Sequence, residues 1–166
     1  ADIDASRGTV EELQRMVPLI RQRWPGVRIV IRGDSGFCRE PIMRWCEEHE
    51  VQFVLGLAKN TRLKELIAPQ RAAAKLFYDD SKKPARLFAE LRYQTLTSWS
   101  RERRVVAKAE HLAKGENPRF VVTNLSVDEA DARTLYEDRY CLRGEMENRI
   151  KEQQLCLFAD RTSCAT

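Results

Sequence analysis

The sequence lacks a long hydrophobic run. No stretch of its 166 residues approaches the roughly 18–20 consecutive apolar residues that a membrane-spanning helix requires. Its first residues, Ala-Asp-Ile-Asp-Ala-Ser, do not form a basic and then apolar signal peptide. Because 43% of the residues are hydrophobic and 33% are charged, the composition predicts one globular domain with an ordinary core. We therefore expect a cytoplasmic protein without a membrane partner.

The sequence also lacks the patterns that hold zinc or build a disulfide framework. Its five cysteines are an odd number, no Cys-x2-Cys pair occurs, and the two histidines have no companion at ligand spacing. A glycine-rich phosphate loop is missing as well. We expect reduced, mostly buried thiols at Cys38, Cys46, Cys141, Cys156 and Cys164.

A strong excess of one charge is absent too. The formal net charge is +4, from 29 Lys and Arg against 25 Asp and Glu. This mild basicity permits a partner with a phosphate backbone without requiring one, because many proteins carry such a charge for solubility alone.

The first half of the chain carries the pattern of an α/β unit. A Thr-x2-Glu capping box predicts a helix over 9–24, and the β-branched stretch 27–32 predicts a buried strand. A second helix begins near Pro41, and 51–58 has the composition of a second buried strand. Two strands joined by a helix of this length predict a parallel crossover.

The second half changes its hydrophobic period. After a short basic helix, period-two patterns predict antiparallel strands, and helical periodicity returns at a Ser-x2-Glu cap. We therefore divide the chain into an α/β core part at 1–76, a β-rich insertion at 77–126 and a helical part of the core at 127–166. The predicted elements are a helix at 62–76, strands at 88–96, 103–109 and 119–125, and helices at 126–140 and 147–158.

The most informative motif is Arg-Gly-Asp-Ser-Gly-Phe at 32–37, directly after the first predicted strand. It places Asp34 at a strand end, where small neighbours leave the carboxylate accessible to a metal ion or a substrate. Gly-Asp-Ser-Gly is also ordinary turn chemistry, and taken alone the motif favours a plain turn.

A second segment, from Tyr140 to Glu152, contains the pattern Tyr-x2-Arg-x3-Glu. Together the two segments resemble the insertion-sequence DDE transposases of bacteria, whose last catalytic acid lies in a Tyr-x2-Arg-x3-Glu-x6-Lys signature. The resemblance covers the whole chain and implies a ribonuclease-H-like, integrase-type α/β core. It assigns the second and third catalytic, metal-binding acids to Asp34 and Glu147, with Tyr140 and Arg143 as signature partners.

The sequence departs from the family pattern at two places. The signature lysine falls on Gln154, although Lys151 lies one helical turn earlier and can take over a phosphate contact. The family's first catalytic aspartate lies on an early strand, and neither Asp2 nor Asp4 follows such a strand. We therefore expect the chain to be an internal and carboxyl-terminal piece of a longer protein whose core is incomplete at its N-terminal strands.

The resemblance implies Mg²⁺ or Mn²⁺ as cofactor, and DNA as partner in the form of terminal inverted repeats and target DNA. It also implies a transposase homodimer in a synaptic complex at the bacterial nucleoid. The intact enzyme would cleave and transfer DNA strands, and the piece alone would be inactive. A second hypothesis is a truncated, non-catalytic remnant that binds DNA or an intact subunit.

Six residues are candidates for DNA contact. Arg143 suits phosphate oxygens, whereas a routine ion pair with Glu147 is an equal alternative for Lys151, and Tyr140 also fits a half-buried helix position. Trp99, in a polar turn, suits stacking on an unpaired base, with packing beneath a hairpin as its alternative. Arg101 and Arg103 follow it as phosphate contacts or as charges that guard a strand edge.

Overall fold

The computed structural model describes residues 6–141 and contains both helices and strands. The helices are α1 (Thr9–Arg23), α2 (Glu40–Glu48), α3 (Thr61–Leu66), α4 (Ala68–Ser81), α5 (Ala132–Thr134) and a π-helix (Leu135–Tyr140). The strands are β1 (Val30–Gly33), β2 (Gln52–Leu57), β3 (Ala85–Tyr93), β4 (Arg103–Leu112), β5 (Gly115–Glu116) and β6 (Arg119–Thr123). None of the helices described is both long enough and apolar enough to cross a membrane.

The strands form one mixed sheet in the order β1-β2-β6-β4-β3, with β5 paired to β4. β1 and β2 are parallel, which confirms the predicted crossover, and the other neighbours are antiparallel. The strands predicted as a β-rich insertion therefore continue the sheet directly, since β6 pairs with β2. The division of the chain at 77 and 127 stays a prediction.

Each face of the sheet has its own core. One face packs on α1, α2 and α3 through a large cluster that includes Phe53, Leu55 and Val122. The other face is covered by the segment from Leu125 onward, whose Leu135 and Tyr136 pack on Val54, Val106 and Val121. Successive side chains of a strand point to opposite faces of the sheet, so residues of the two cores alternate along the strands.

The predicted helix 62–76 is two helices. Asn60 caps α3 by accepting a hydrogen bond from the Leu63 N–H (2.8 Å), and α3 ends at Leu66. Pro69 then lies in the first turn of α4, where its missing N–H costs nothing. A helix continuing through Pro69 would lose a hydrogen bond, so the chain starts a new one.

Two predicted helix starts are wrong in their detail. The N-cap of α1 is Gly8, and no side chain caps that helix, so the Thr9 capping box does not form. At the helix start predicted near Ser126, Ser126 and Glu129 do exchange hydrogen bonds (2.8 and 3.3 Å), but the residues between them form a turn and not the first turn of a helix. The helix begins at Ala132, because Asp131 accepts from the N–H groups of the next turn and provides the stronger cap.

Candidate functional site

Asp34 lies in the turn that follows β1. Its Oδ1 accepts a hydrogen bond from the Gly36 N–H (2.8 Å), and its carbonyl oxygen accepts from the Phe37 N–H (3.2 Å). The carboxylate is therefore oriented by its own turn, as expected for an Asx turn. This geometry fits a plain turn, and it also fits a carboxylate that binds a metal ion or a substrate, because Asp34 is partly exposed.

Tyr140 is carried by the π-helix at the end of the described chain. The wide helical turn is closed by the Cys141 N–H, which donates to the Tyr136 carbonyl (3.0 Å). Arg32 on β1 donates to the Arg139 carbonyl (3.0 Å) and fixes this helix beside the strand that leads to Asp34. Short π-helical segments occur frequently at functional sites.

Gly56 connects Tyr140 to the Asp34 turn. A Cβ placed on Gly56 would lie 2.5 Å from the Tyr140 hydroxyl, 3.1 Å from the Ser35 nitrogen and 3.3 Å from the Asp34 carbonyl carbon. The hydroxyl therefore lies over a position that only glycine can occupy without displacing a neighbour. The sequence signal that could have found it is a glycine inside an otherwise buried strand.

These residues line one cleft of about 440 Å³ at the carboxyl ends of the parallel strands. The structure thus brings together Asp34 and Tyr140, which the sequence separates by more than a hundred positions. Two basic residues outside both motif segments, Lys59 and Arg119, also line it. The full lining is Asp34, Ser35, Gly56, Leu57, Ala58, Lys59, Pro118, Arg119, Phe120 and Tyr140.

Tyr140 packs on Tyr136, which in turn contacts a buried pair of charged residues. The Tyr136 and Tyr140 rings are 5.7 Å apart, and the Lys108 ammonium lies 5.3 Å from the Tyr136 ring centre. Lys108 is held in turn by the buried Glu110 (2.5 Å). Burial raises the pKa of Glu110, but hydrogen bonds from Lys108, Arg86 and Asn117 outweigh burial and leave it below its ordinary value.

Trp99 is packed inside the protein. Its side chain is only 6% exposed, meets Tyr93 edge-on at 5.7 Å and lies against the Arg103 guanidinium at 5.6 Å. The Trp99 backbone N–H donates to the Thr95 hydroxyl (2.8 Å). This position corresponds to the packing alternative and gives base stacking no support.

Arg103 is likewise built into the fold. Its side chain is 2% exposed and forms ion pairs with Glu40 (2.7 Å) and Glu47 (2.6 Å). Burial alone would lower the pKa of Arg103, but hydrogen bonds to Glu47 and Glu40 outweigh burial and hold this pKa above its ordinary value. Arg101 is exposed and lies 3.6 Å from Glu47, so of these two arginines it alone can reach a partner in solution.

The remaining predicted site residues, Glu147, Arg143 and Lys151, lie outside the described residues. Within residues 6–141 no group of three His, Cys, Asp or Glu side chains is arranged to hold a metal ion. Asp34 is thus the one predicted metal ligand whose surroundings the structure gives, and its carboxylate oxygens suit a hard cation such as Mg²⁺.

A mixed sheet with an acid at the carboxyl end of a parallel strand is typical of α/β domains that bind a ligand at this end of the sheet. The family model "Transposase DDE domain group 1" matches residues 1–166, so the chain belongs to this family of transposase domains. This membership implies DNA as the substrate. No curated protein matches the chain.

Proposed function

We propose that this chain is the central and carboxyl-terminal part of a DDE transposase with a ribonuclease-H-like core. The intact protein would cleave and transfer DNA strands at the ends of an insertion sequence in a reaction that needs Mg²⁺. Asp34 and Glu147 would supply two of its acids, and a strand upstream of this chain would supply the first. The chain alone would then be inactive.

One observation carries the proposal. The Tyr140 hydroxyl and the backbone of Asp34 and Ser35 all lie against the Cα of Gly56, on the side where a Cβ would stand. Tyr140 opens the segment that contains Glu147 seven residues later, so the first residue of one motif segment and the acid of the other line one cleft. Motifs this far apart in sequence have no reason to meet if each served only its own turn or helix.

The donor chemistry fits the cofactor that the family implies. The Asp34 carboxylate is a hard oxygen ligand, and the Gly36 N–H holds it in one orientation. Glu147 would be the second ligand. A bound Mg²⁺ supplies activation of the attacking oxygen and stabilisation of the leaving oxygen in transfer at a phosphodiester. The protein's own part is to hold the carboxylates and to place the DNA strand in the cleft.

The decisive experiment measures Mg²⁺-dependent strand cleavage by the intact transposase, that is, this chain with its upstream strand. The substrate is a DNA duplex that carries the ends of the element. Asp34→Asn and Glu147→Gln each remove one metal-binding charge with little change in shape, and we expect both to abolish cleavage while DNA binding persists. Asp80→Asn, at an exposed position of α4, is the matched control and keeps full activity.

Full activity in both Asp34→Asn and Glu147→Gln would end the proposal. The second candidate, a non-catalytic remnant, is supported by one feature of the cleft: Asp34 is the only acid among the described residues that line it. Salt-dependent DNA binding by the intact protein, with no cleavage in Mg²⁺ or Mn²⁺, would favour that candidate.

A further inference from the structure

Most cations that border the sheet are neutralised within the protein. Lys108 and Arg86 share Glu110, Arg104 pairs with Glu90, and Arg71 pairs with Glu116. Lys59 and Arg119 differ, because no acidic side chain of the described part of the chain lies within ion-pair distance of either. Among residues 6–141, their charges are therefore not neutralised by an ion pair.

The fold places these two cations at the adjoining ends of two neighbouring strands, beside the same opening. Lys59 follows β2 by two residues, and Arg119 is the first residue of β6. The strands are antiparallel neighbours with Leu57 opposite Phe120, so both basic side chains belong to the end of the sheet where Asp34 lies. Both residues are exposed, and both line the cleft.

We propose that Lys59 and Arg119 form a phosphate-binding pair that holds the DNA backbone in the cleft beside Asp34. This inference rests on the proposed function and assigns to it two residues that neither motif contains. A guanidinium matches two phosphate oxygens at once, and an ammonium acts as a mobile point charge. Lys108, the strand partner of Arg119, is already bound by Glu110 and contributes no such contact.

The test measures the affinity of the 166-residue chain for a short DNA duplex at several salt concentrations. Each phosphate contact contributes a slope of about −0.9 to a plot of log affinity against log salt. Lys59→Gln and Arg119→Gln should each reduce the slope by about 1, and the double variant by about 2. Arg92→Gln carries the same charge change at an exposed position of the opposite end, near the end of β3, and should keep the wild-type slope.

Equal losses in Lys59→Gln, Arg119→Gln and Arg92→Gln would overturn the proposal, because only net charge would then matter. Unchanged slopes in the first two variants, or no binding by the wild-type chain at low salt, would also overturn it. The result is separable from the catalytic proposal, which fails through cleavage by Asp34→Asn. The phosphate pair fails only through the salt slopes.

Discussion

The two ends of the sheet use basic residues in opposite ways. At the end formed by the start of β4, Arg103 and Arg104 are buried and their guanidinium groups are occupied by glutamates and carbonyls. At the cleft end, Lys59 and Arg119 are exposed beside Asp34. Pairing and burial, rather than the presence of a positive charge, therefore separate structural cations from candidates for DNA contact.

The paired end also supports the cleft at a distance. Arg104 binds Glu90 and donates to the carbonyls of Leu125 (3.0 Å), Ser126 (2.9 Å) and Ala130 (2.8 Å). These hydrogen bonds fix the loop that leads into α5 and the π-helix. The cations of one end thus hold the segment that brings Tyr140 to the other end.

The largest effect is expected from Arg103→Ala. The change leaves Glu40 and Glu47, which are 17% and 13% exposed, without their partner. Breaking such a pair from one side should lower the free energy of unfolding by about 3 kcal/mol. Urea denaturation followed by circular dichroism measures the loss.

Arg103→Lys is the control for charge alone. An ammonium cannot bind two carboxylates with paired hydrogen bonds, so this variant should recover only part of the lost stability. A stability equal to wild type in Arg103→Ala would contradict a structural role and return Arg103 to the candidates for DNA contact.

A second prediction concerns the network behind Tyr140. Glu110→Gln removes the charge that holds the buried Lys108 and should cost about 2 kcal/mol at pH 7. The pKa of Glu110 is depressed in the folded protein, so its contribution is present above the ordinary glutamate pKa and is lost as the pH falls through the folded value.

The stability difference between wild type and Glu110→Gln should therefore be largest near pH 7 and shrink as the pH falls below the ordinary glutamate value of 4.5. Urea unfolding of both proteins at a series of pH values measures it. A difference that stays constant down to acid pH would show that Glu110 contributes by its shape rather than by its charge.

The third prediction tests the contact at Gly56. Gly56→Ala places a methyl group 2.5 Å from the Tyr140 hydroxyl and should destabilise the protein by about 1.5 kcal/mol through overpacking. Tyr140→Phe removes the obstructing oxygen. The double variant should therefore be more stable than the sum of the two single losses predicts, as a thermodynamic cycle from urea unfolding can measure.

Additive losses in that cycle would mean that Gly56 and Tyr140 do not meet in solution. Gly56→Ala would then act through the backbone of Ser35 and Asp34, which lies 3.1–3.3 Å from the new methyl group. Leu55→Ala, the preceding residue on the same strand but part of the other core, is a packing control that should show no coupling to Tyr140→Phe.

Local patterns predicted the elements of the α/β unit well. The apolar stretch around Phe53 and the β-branched stretch before Asp34 are parallel strands, and Pro41 lies in the first turn of α2. The expectation that the stretch before Asp34 is buried was wrong, because β1 spans only Val30–Gly33 and is a partly exposed edge strand. These elements follow from short-range chemistry: strand composition, a proline in a first turn and a crossover of suitable length. Family membership, expected from two separated motifs, is confirmed over the whole chain.

What the sequence could not predict depends on pairing across the fold. Trp99 in a polar turn and Arg103 beside it have the local pattern of a DNA-binding loop, yet packing against Tyr93 and binding by Glu40 and Glu47 bury both. Those partners lie outside the local pattern. Gly56 was missed for the same reason, since its neighbour Tyr140 is distant in sequence.

The smallest effect is expected at Arg101, the exposed neighbour of the paired arginines. Its 3.6 Å contact with Glu47 is solvated on the arginine side, where 59% of the side chain is exposed, so Arg101→Gln should change stability by less than about 0.5 kcal/mol. The salt dependence of DNA binding should also match that of wild type if the DNA lies only at the cleft. A slope reduced by about 1 would show instead that the DNA reaches the far end of the sheet and that Arg101 is the phosphate contact predicted from its sequence position.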